Sequence, residues 1–271
     1  MKQTLFILCL LACISALAQQ KPRNQVGLTL GWQNFRFNDE HASPLIYGTN
    51  SIFPSFGLFY NHQNDRSYYS FKVSGAIGQA NALRFGARNY KTKWSNTDSF
   101  QYQIASQFIN ANIEATYLRN IRSLSTDKTQ YWVGGKLNES AYYASEVANF
   151  PWMVNAVDLG PMFQVTHTLF IKHIIGIKVD LAALGWVTRA IYSFYPKSNK
   201  DKNVPAYFKQ GTRLAGINKY QRVNVQLQYQ YQITNHFAVG AAYWLKWMRY
   251  TYPKELRILD KHFDVNFTYT Y

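Results

Sequence analysis

The sequence has little cysteine and little negative charge, and it has no long apolar run beyond its first twenty residues. Its 271 residues include two cysteines, Cys9 and Cys13, both close to the N-terminus. The rest of the chain therefore lacks a disulfide framework and a thiolate for catalysis or metal binding. Acidic residues number 14 against 29 Lys and Arg, a net charge of +15. The absence of a later run of ~18 apolar residues excludes a spanning helix there.

The first twenty residues predict an export signal. Lys2 forms a short basic region, residues 5–11 form an apolar one, and Ala16-Leu17-Ala18 fits the small-x-small pattern of a signal-peptidase site. Cleavage after Ala18 would remove both cysteines, so we expect a signal peptide over residues 1–18 and a single domain over 19–271. The alternative is a lipoprotein signal, in which Cys13 is the acylated residue.

Tyrosine and phenylalanine are abundant, although the mean hydropathy is only -0.29. The chain contains 21 Tyr and 18 Phe. In residues 223–234 the two kinds of side chain alternate strictly, with Val, Leu, Tyr and Ile on one parity and Asn and Gln on the other. Successive side chains of a β-strand point to opposite sides, so this pattern predicts a strand with two unlike faces.

About ten segments share this period of two. They are 25–37, 53–60, 67–77, 104–118, 129–137, 154–166, 169–181, 223–234, 237–247 and 261–271. The gaps between them run long and short in turn: those at 61–66, 120–128, 167–168 and 234–236 are brief, whereas 182–219 is the longest. Outer-membrane barrels have short periplasmic turns and long external loops on an even number of strands. Pro161 lies inside the sixth segment and removes one ladder donor.

The chain ends in FDVNFTYTY, an alternating strand whose last residue, Tyr271, is aromatic. In this ending and in its loop pattern, nearly all of the chain after the signal resembles the small outer-membrane β-barrel families. The resemblance implies an all-β fold, a closed antiparallel transmembrane β-barrel of about ten strands with both ends in the periplasm. It also implies insertion by the barrel-assembly machinery through the terminal strand. Residues 84–94 and 186–195 alternate weakly, so they are either strand extensions outside the membrane or an extra hairpin that makes twelve strands. A soluble β-sandwich is the remaining alternative.

Charged residues occupy the parity that would face the lumen. Those on which we base a prediction are Lys72, Glu114, Lys136, Asp158, Lys178 and Asp180. Lys72 and Glu114 fall at similar heights, and so do Lys136, Asp158 and Lys178. Because charges away from bulk water need partners, we expect a structural network that plugs the barrel. The alternative is a narrow charged pore, a small porin-like diffusion channel.

The outer loops are basic and aromatic. The candidate anion-binding residues are Arg189, Lys197, Lys200, Lys202, Lys209 and Arg213. Such a surface would attract the phosphates of lipopolysaccharide, acidic glycans or an acidic envelope protein. The alternative is that a basic surface is simply compatible with an anionic outer leaflet.

Evidence for an enzyme is weak. The best constellation is His262 with Asp264, predicted near the outer rim and joined by Asp180, in which a carboxylate-oriented His would activate water. Residues 38–41 lack metal-ligand spacing, and no glycine-rich phosphate loop, His-Glu metal motif or Gly-x-Ser-x-Gly elbow is present. We therefore predict no cofactor, no metal and no nucleic-acid partner. The expected role is non-enzymatic: a structural or surface-binding barrel in contact with outer-membrane lipid, or an accessory subunit of an envelope complex. A pore is the first alternative and a rim hydrolase the second.

Overall fold

Antiparallel strands make up nearly all of the chain that the computed structural model describes, which is residues 23–49, 53–86, 88–93, 99–104, 106–147, 150–189 and 203–271. The strands are β1 (Arg23–Asp39), β2 (Ile46–Thr49), β3 (Phe53–Gln63), β4 (Ser67–Ala82), β5 (Arg88–Lys93), β6 (Ser99–Ile104), β7 (Ser106–Asn120), β8 (Thr129–Val147), β9 (Phe150–Phe170), β10 (His173–Leu181), β11 (Leu184–Arg189), β12 (Thr212–Gly216), β13 (Tyr220–Gln232), β14 (Phe237–Tyr250) and β15 (Leu256–Thr270). One helix, α1 (Asn203–Gly211), precedes β12. No helix in these ranges has the length and apolarity needed to cross a membrane.

Ten of these strands form a closed ring. Each pairs antiparallel with the next in the order β1, β3, β4, β7, β8, β9, β10, β13, β14 and β15. The ring closes where β15 pairs with β1, from Gln25 opposite Thr270 to Asp39 opposite Leu256. Closure leaves no unpaired strand edge in the wall. The predicted ten-stranded antiparallel barrel is confirmed, and each ring strand contains most of one predicted segment.

The weakly alternating segments are not ring members. Among the described residues β5 and β6 pair only with each other, and β11 pairs with the outer part of β9 and with β12. The β8–β9 ladder continues to Val147 and Phe150, where we had predicted a long loop. These hairpins lengthen one end of the barrel, which we call the long-loop end. The opposite short-turn end carries both ends of the ring and the turns around residues 64–66, 121–128, 171–172 and 233–236.

One predicted boundary is wrong. The turn before β10 was expected at 167–168, but β9 runs on to Phe170 and the turn is at Ile171 and Lys172. In this ladder Ile175 lies opposite His167, so the outward residues of both strands have odd numbers. The alternation of apolar and polar residues therefore continues through the turn without a break. For this reason the alternation alone could not locate the turn. Lys172, which lies in the predicted segment 169–181 on the parity of Lys178 and Asp180, is a turn residue.

The wall has an apolar outer surface and a polar inner one. On β13, Leu227 is 52% exposed whereas Asn224 is 4% exposed, and on β3 and β4 Leu58 and Phe71 lie on the outside. Exposed apolar side chains of this kind recur on every ring strand. A soluble sandwich would bury its apolar parity, so the alternation in 223–234 has the reverse orientation, with valines and tyrosines outward and glutamines inward.

Pro161 coincides with a break in the neighbouring strand. β10 pairs with β9 as far as Met162, and β11 resumes the pairing at Leu159. Between them the Ala182 N–H donates to the Arg222 carbonyl of β13 at 2.9 Å, and the Ala183 N–H donates to the Leu159 carbonyl of β9 at 3.0 Å. Proline has no N–H to offer at this point, so the neighbouring strand loses its ladder partner there and is interrupted. The break separates the membrane-facing ring below from the β11–β12 hairpin above.

Candidate functional site

The candidate site is the barrel interior, which contains three layers. At the long-loop end most of the large buried side chains are apolar, and we call these apolar side chains the outer plug. Its main members are Phe35, Phe37, Tyr47, Phe108, Tyr142, Trp152, Tyr220, Met248, Tyr250, Leu256 and Ile258. Below it lies the central ion network, formed by Glu114, Lys136, Asp158, Asp180 and Arg222. The third layer, at the short-turn end, is a polar cavity that we call the vestibule.

The outer plug is packed through its rings. The centroid of Phe35 lies 4.4 Å from that of Phe108 and 5.2 Å from that of Tyr142. Phe37 stacks on Trp152 at 4.1 Å. Aromatic pairs at these separations add ~0.5–1.5 kcal/mol beyond the area they bury. The described side chains in this layer are nearly all fully buried, so the plug fills the lumen as a hydrophobic core would.

Arg222 organises the central ion network. Its Nη2 donates to Asp158 at 2.7 Å, its Nε contacts both oxygens of the same carboxylate at 3.0 Å, and its Nη1 is paired with Asp180. Asp158 also accepts from the Tyr220 hydroxyl at 2.8 Å and from Asn138 at 3.2 Å. Both carboxylates and the guanidinium are essentially inaccessible to solvent. Planar guanidinium groups suit such multidentate carboxylate contacts.

Lys136 extends the network across the lumen. Its Nζ lies 3.2 Å from a Glu114 oxygen and 3.3 Å from Asp180. Asp180 also accepts from Asn224 at 2.8 Å. Four of the six predicted lumen charges, from four different strands, therefore meet in one hydrogen-bonded group, together with Arg222.

The other two predicted charges, Lys72 and Lys178, have different surroundings. Lys72 lies opposite Glu114 in the β4–β7 ladder, as its height predicted, but its ion-pair partner is Asp264 at 3.3 Å. It also lies 4.3 Å from the centroid of the Trp244 ring. Lys178 has no ion pair within the described ranges, and its Nζ is 5.5 Å from the Tyr68 ring centroid.

Arg222 itself was missed by the sequence analysis. It precedes the predicted segment 223–234 by one residue and shares the inward parity of Asn224 and Gln226. Extending the predicted strand by one residue toward the N-terminus would have included Arg222. The ladder shows that β13 begins earlier, at Tyr220.

The structure does not bring the predicted catalytic residues together. Asp180 is held by Arg222, Lys136 and Asn224, whereas Asp264 is paired with Lys72. Within the described chain His262 makes no hydrogen bond to either carboxylate, and its Nε2 is buried without a partner. His262 also lies below Leu256 and Ile258 of the plug, on a small internal cavity of about 30 Å³. It was expected at the outer rim, because the outward extension of β15 was not foreseen.

Arg189 was predicted as an exposed loop cation, and the structure places it elsewhere. It is the last residue of β11, is buried, and is paired with Asp39 of β1. Asp39 also accepts from Trp152 Nε1 at 2.7 Å, and Arg189 Nη1 donates to the Lys254 carbonyl at 2.6 Å. Asp39, one of the acidic residues of segment 38–41, is thus a structural partner that ties three strands to the β14–β15 turn.

Only part of the predicted basic surface lies in the described residues. Lys209 on α1 and Arg213 on β12 are exposed, whereas Lys197, Lys200 and Lys202 lie outside the described residues. The helix is fixed by Tyr207, whose hydroxyl donates to the Thr188 carbonyl at 2.7 Å. Burial raises the pKa of Tyr207, so this hydroxyl stays protonated.

Glu255, in the turn between β14 and β15, joins two arginines. Arg257 Nε donates to it at 2.6 Å and Arg249 Nε at 2.7 Å. These hydrogen bonds lower the pKa of Glu255 to about 2.

A closed antiparallel ring with an apolar outside and a polar inside decides the fold class. The fold is that of a small outer-membrane β-barrel. No protein-family model matches the sequence, and no curated protein does.

Among solved structures the chain is similar to the outer membrane protease OmpT from Escherichia coli, with a TM-score of 0.49 at 7% identity over 94% of this chain and 97% of that one. It is also similar to Neisserial surface protein A, with a TM-score of 0.37 at 7% identity, covering 94% of this chain and 99% of that one. A third similar structure is the P. putida toluene transporter TodX, with a TM-score of 0.33 at 10% identity over 94% of this chain and 91% of that one. Likeness at this level says nothing about activity or ligand, so function has to be inferred from the residues of this chain.

Proposed function

We propose that this protein is an integral outer-membrane barrel with a closed lumen and a non-enzymatic role, either structural, surface-binding or as an accessory subunit of an envelope complex. The observation that carries the proposal is the double closure of the interior, by the outer plug and by the central ion network. A ring of ten strands is narrow enough for side chains to fill. With both layers in place, binding has to occur at the two ends of the barrel.

The membrane location is supported by the apolar outer wall. Exposed Leu, Ile, Val and aromatic side chains cover the outward parity of the ring strands, and Tyr69, Tyr117, Tyr229 and Tyr231 lie toward the short turns. Such aromatic residues suit the boundary between lipid and water. In the proposed orientation the short-turn end faces the periplasm, and β15, ending beside Tyr271, is the strand that the barrel-assembly machinery would engage.

A diffusion pore is the weaker reading of the charged lumen. An open pore needs its charges to face water, whereas Asp158, Asp180 and Arg222 are almost fully buried and satisfy one another. The outer plug above them is packed with buried aromatic and aliphatic side chains. A rim hydrolase is weaker still, because His262 makes no hydrogen bond to a carboxylate among the described residues and lies below the plug.

The proposal is tested by reconstituting the folded, full-length mature protein in a planar bilayer and recording current. Folding is checked first by heat-modifiable migration on a gel. We expect no discrete conductance steps from protein that is demonstrably folded, at either polarity. Clear, reproducible conductance steps would overturn the proposal of a closed lumen and favour the diffusion pore.

For the outer surface we propose phosphate groups of lipopolysaccharide as ligands of exposed cations such as Lys209 and Arg213. The double variant Lys209→Gln/Arg213→Gln should bind lipid A-containing vesicles more weakly, by an amount that shrinks as salt rises. Arg119→Gln, an exposed arginine near the short turns, is the matched control and should leave this binding unchanged. Equal losses in both variants would remove the case for a site at the long-loop end.

A further inference from the structure

The vestibule is a cavity of substantial size that none of the roles above uses. It has a volume of about 440 Å³ and reaches the short turns at Asp127, Lys128 and Asn235. A second cavity of about 120 Å³ continues it toward Lys136 and Asp180 of the central ion network. Residues such as Tyr68 and Lys178 line both cavities, so the two adjoin. Together they fall in the range of ~300–1,000 Å³ that is usual for small-ligand sites.

The vestibule is lined by side-chain amides. Glutamines converge on it from five strands: Gln25, Gln63, Gln130, Gln164, Gln228, Gln230 and Gln232. Gln63 donates to Gln130 at 3.3 Å, but elsewhere in the described chain Gln164, Gln228 and Gln230 find no hydrogen-bonding partner for their amides. Gln164 is the most informative, because it is 5% exposed and its Oε1 has no partner. A buried amide without a partner is costly unless something in the cavity bonds to it.

A single unpaired cation lies at the inner end of the vestibule. Lys178 sits where the two cavities join, stacked on the face of Tyr68 and without an ion pair among the described residues. At the mouth, Arg23 and Lys128 outnumber Asp127. The field in the vestibule therefore favours a ligand that carries an anionic group.

We propose that the vestibule is a binding site for a short acidic oligosaccharide that enters from the short-turn end. An amide side chain both donates and accepts, as a sugar hydroxyl does, so a wall of glutamines matches a polyhydroxylated ligand. Lys178 would bind its carboxylate. A peptide fits less well, because every strand of the ring is already paired on both sides and none is free to add another strand.

The inference rests on the proposed barrel alone and does not require the lumen to be closed above the vestibule. It is tested by isothermal titration of the folded full-length mature protein in detergent with trigalacturonate, maltotriose and tri-glutamate. We expect trigalacturonate to bind, maltotriose to bind at least ~10-fold more weakly because it lacks the charge, and tri-glutamate to give no comparable signal.

Two variants locate the site. Lys178→Met should weaken trigalacturonate binding about 10-fold or more, since a hydrogen bond to a charged group is lost, and Gln164→Leu should weaken it severalfold. Lys219→Met, an exposed lysine at the opposite end, is the matched control and should bind as the parent does. Each variant is first checked for heat-modifiable migration.

Three results would overturn the inference: no binding of trigalacturonate, equal binding by tri-glutamate, or unchanged binding in both folded vestibule variants. These are separable from failure of the proposed function. Binding by a barrel that conducts would overturn the closed lumen and leave the vestibule site standing. If the folded protein gives no conductance steps and also does not bind trigalacturonate, the oligosaccharide site alone is overturned.

Discussion

At the scale of single residues, the interior depends most on Arg222. Arg222→Met would leave Asp158 and Asp180 buried with too few partners, whereas the full group is satisfied. Removing one partner of a buried ion pair costs about 3–5 kcal/mol, so we expect the midpoint of urea unfolding in detergent to fall strongly. Arg119→Met, at an exposed position on β7, is the control and should leave that midpoint nearly unchanged. A similar small shift in both variants would mean that the network contributes nothing to folding.

Glu255 gives a pH-dependent prediction outside the membrane-spanning part of the barrel. Hydrogen bonds from Arg257 and Arg249 lower its pKa to about 2, so its charged form is favoured in the folded protein. Its contribution to stability is therefore complete above its ordinary pKa of about 4.5 and is lost as the pH falls through about 2.

In practice, the difference in unfolding midpoint between the parent and Glu255→Gln should be small at pH 7, because both arginine partners are accessible to solvent, which screens the ion pairs. It should shrink progressively between pH 4.5 and pH 2, and raising the salt at pH 7 should shrink it too. A difference that grows on acidification would contradict the assigned cause, the two arginine hydrogen bonds.

Residue parity predicted much of the interior but not its pairing. Lys136, Asp158 and Asp180 follow from alternation within a strand, because the period of two fixes which face each side chain shares. Which cation meets which carboxylate depends on long side chains reaching across the lumen. For that reason the predicted height match of Lys72 and Glu114 is correct, while the partner of Lys72 is Asp264 on a distant strand.

At the scale of strands, the break between β10 and β11 depends on Gly160. A Cβ at this position would lie 1.7 Å from the Leu181 carbonyl oxygen, and the atoms it meets are backbone. Gly160→Ala should therefore displace the kinked strand and lower stability by about 1–3 kcal/mol or more, read as the urea midpoint.

Gly135, in the adjacent strand β8, is the matched control for Gly160. A Cβ there would meet the Gly160 carbonyl oxygen at 3.7 Å, an ordinary contact. Gly135→Ala should be neutral or slightly stabilising, since it reduces the freedom of the unfolded chain without strain. If Gly135→Ala is as harmful as Gly160→Ala, then loss of glycine in the wall, and not the close approach to Leu181, sets the cost.

The outer plug had a signal in the sequence that the period-two reading did not use. On β1 the apolar residues lie at even positions up to Trp32 and then at odd positions, Phe35 and Phe37. On β14 the apolar residues lie mainly at odd positions up to Trp247 and then at even positions, Met248 and Tyr250. The switch marks the height at which the outside of the wall leaves lipid and the inside becomes a core. Because each strand was searched for apolar residues on a single parity, this switch was missed. For the same reason the full lengths of β8 and β9 were missed.

At the scale of the whole molecule, the number of strands and the closure of the ring can be predicted from the sequence. The side-chain contacts that fill the lumen are harder to predict. Alternation with long and short gaps in turn determines ten antiparallel strands, because hairpins join neighbours and an even number returns the chain to its starting end. The filling depends on contacts between strands far apart in sequence, such as Arg222 with Asp158. No local pattern carries those contacts, so the vestibule and the surroundings of His262 could not be foreseen.

The two closing layers lie in series along one lumen, and this arrangement makes a specific prediction about conductance. A path that crosses two barriers in series stays blocked while either remains. A plug variant with Ala at Phe35, Phe108 and Tyr142 removes three contacting rings but leaves the ion network, so it should stay silent in a planar bilayer. A network variant with Ser at Glu114, Lys136, Asp158, Asp180 and Arg222 removes both signs of charge together, which spares the fold the cost of one unpaired charge. It should also stay silent, because the plug remains.

The combined variant should conduct in discrete steps, provided that its heat-modifiable migration shows a folded barrel. Steps from the plug variant alone would mean that the ion network is permeable and that the aromatic layer is the only seal. Steps from the network variant alone would assign the seal to the charges. Silence from a folded combined variant would place a further barrier in the lumen and overturn the assignment of the seal to these two layers.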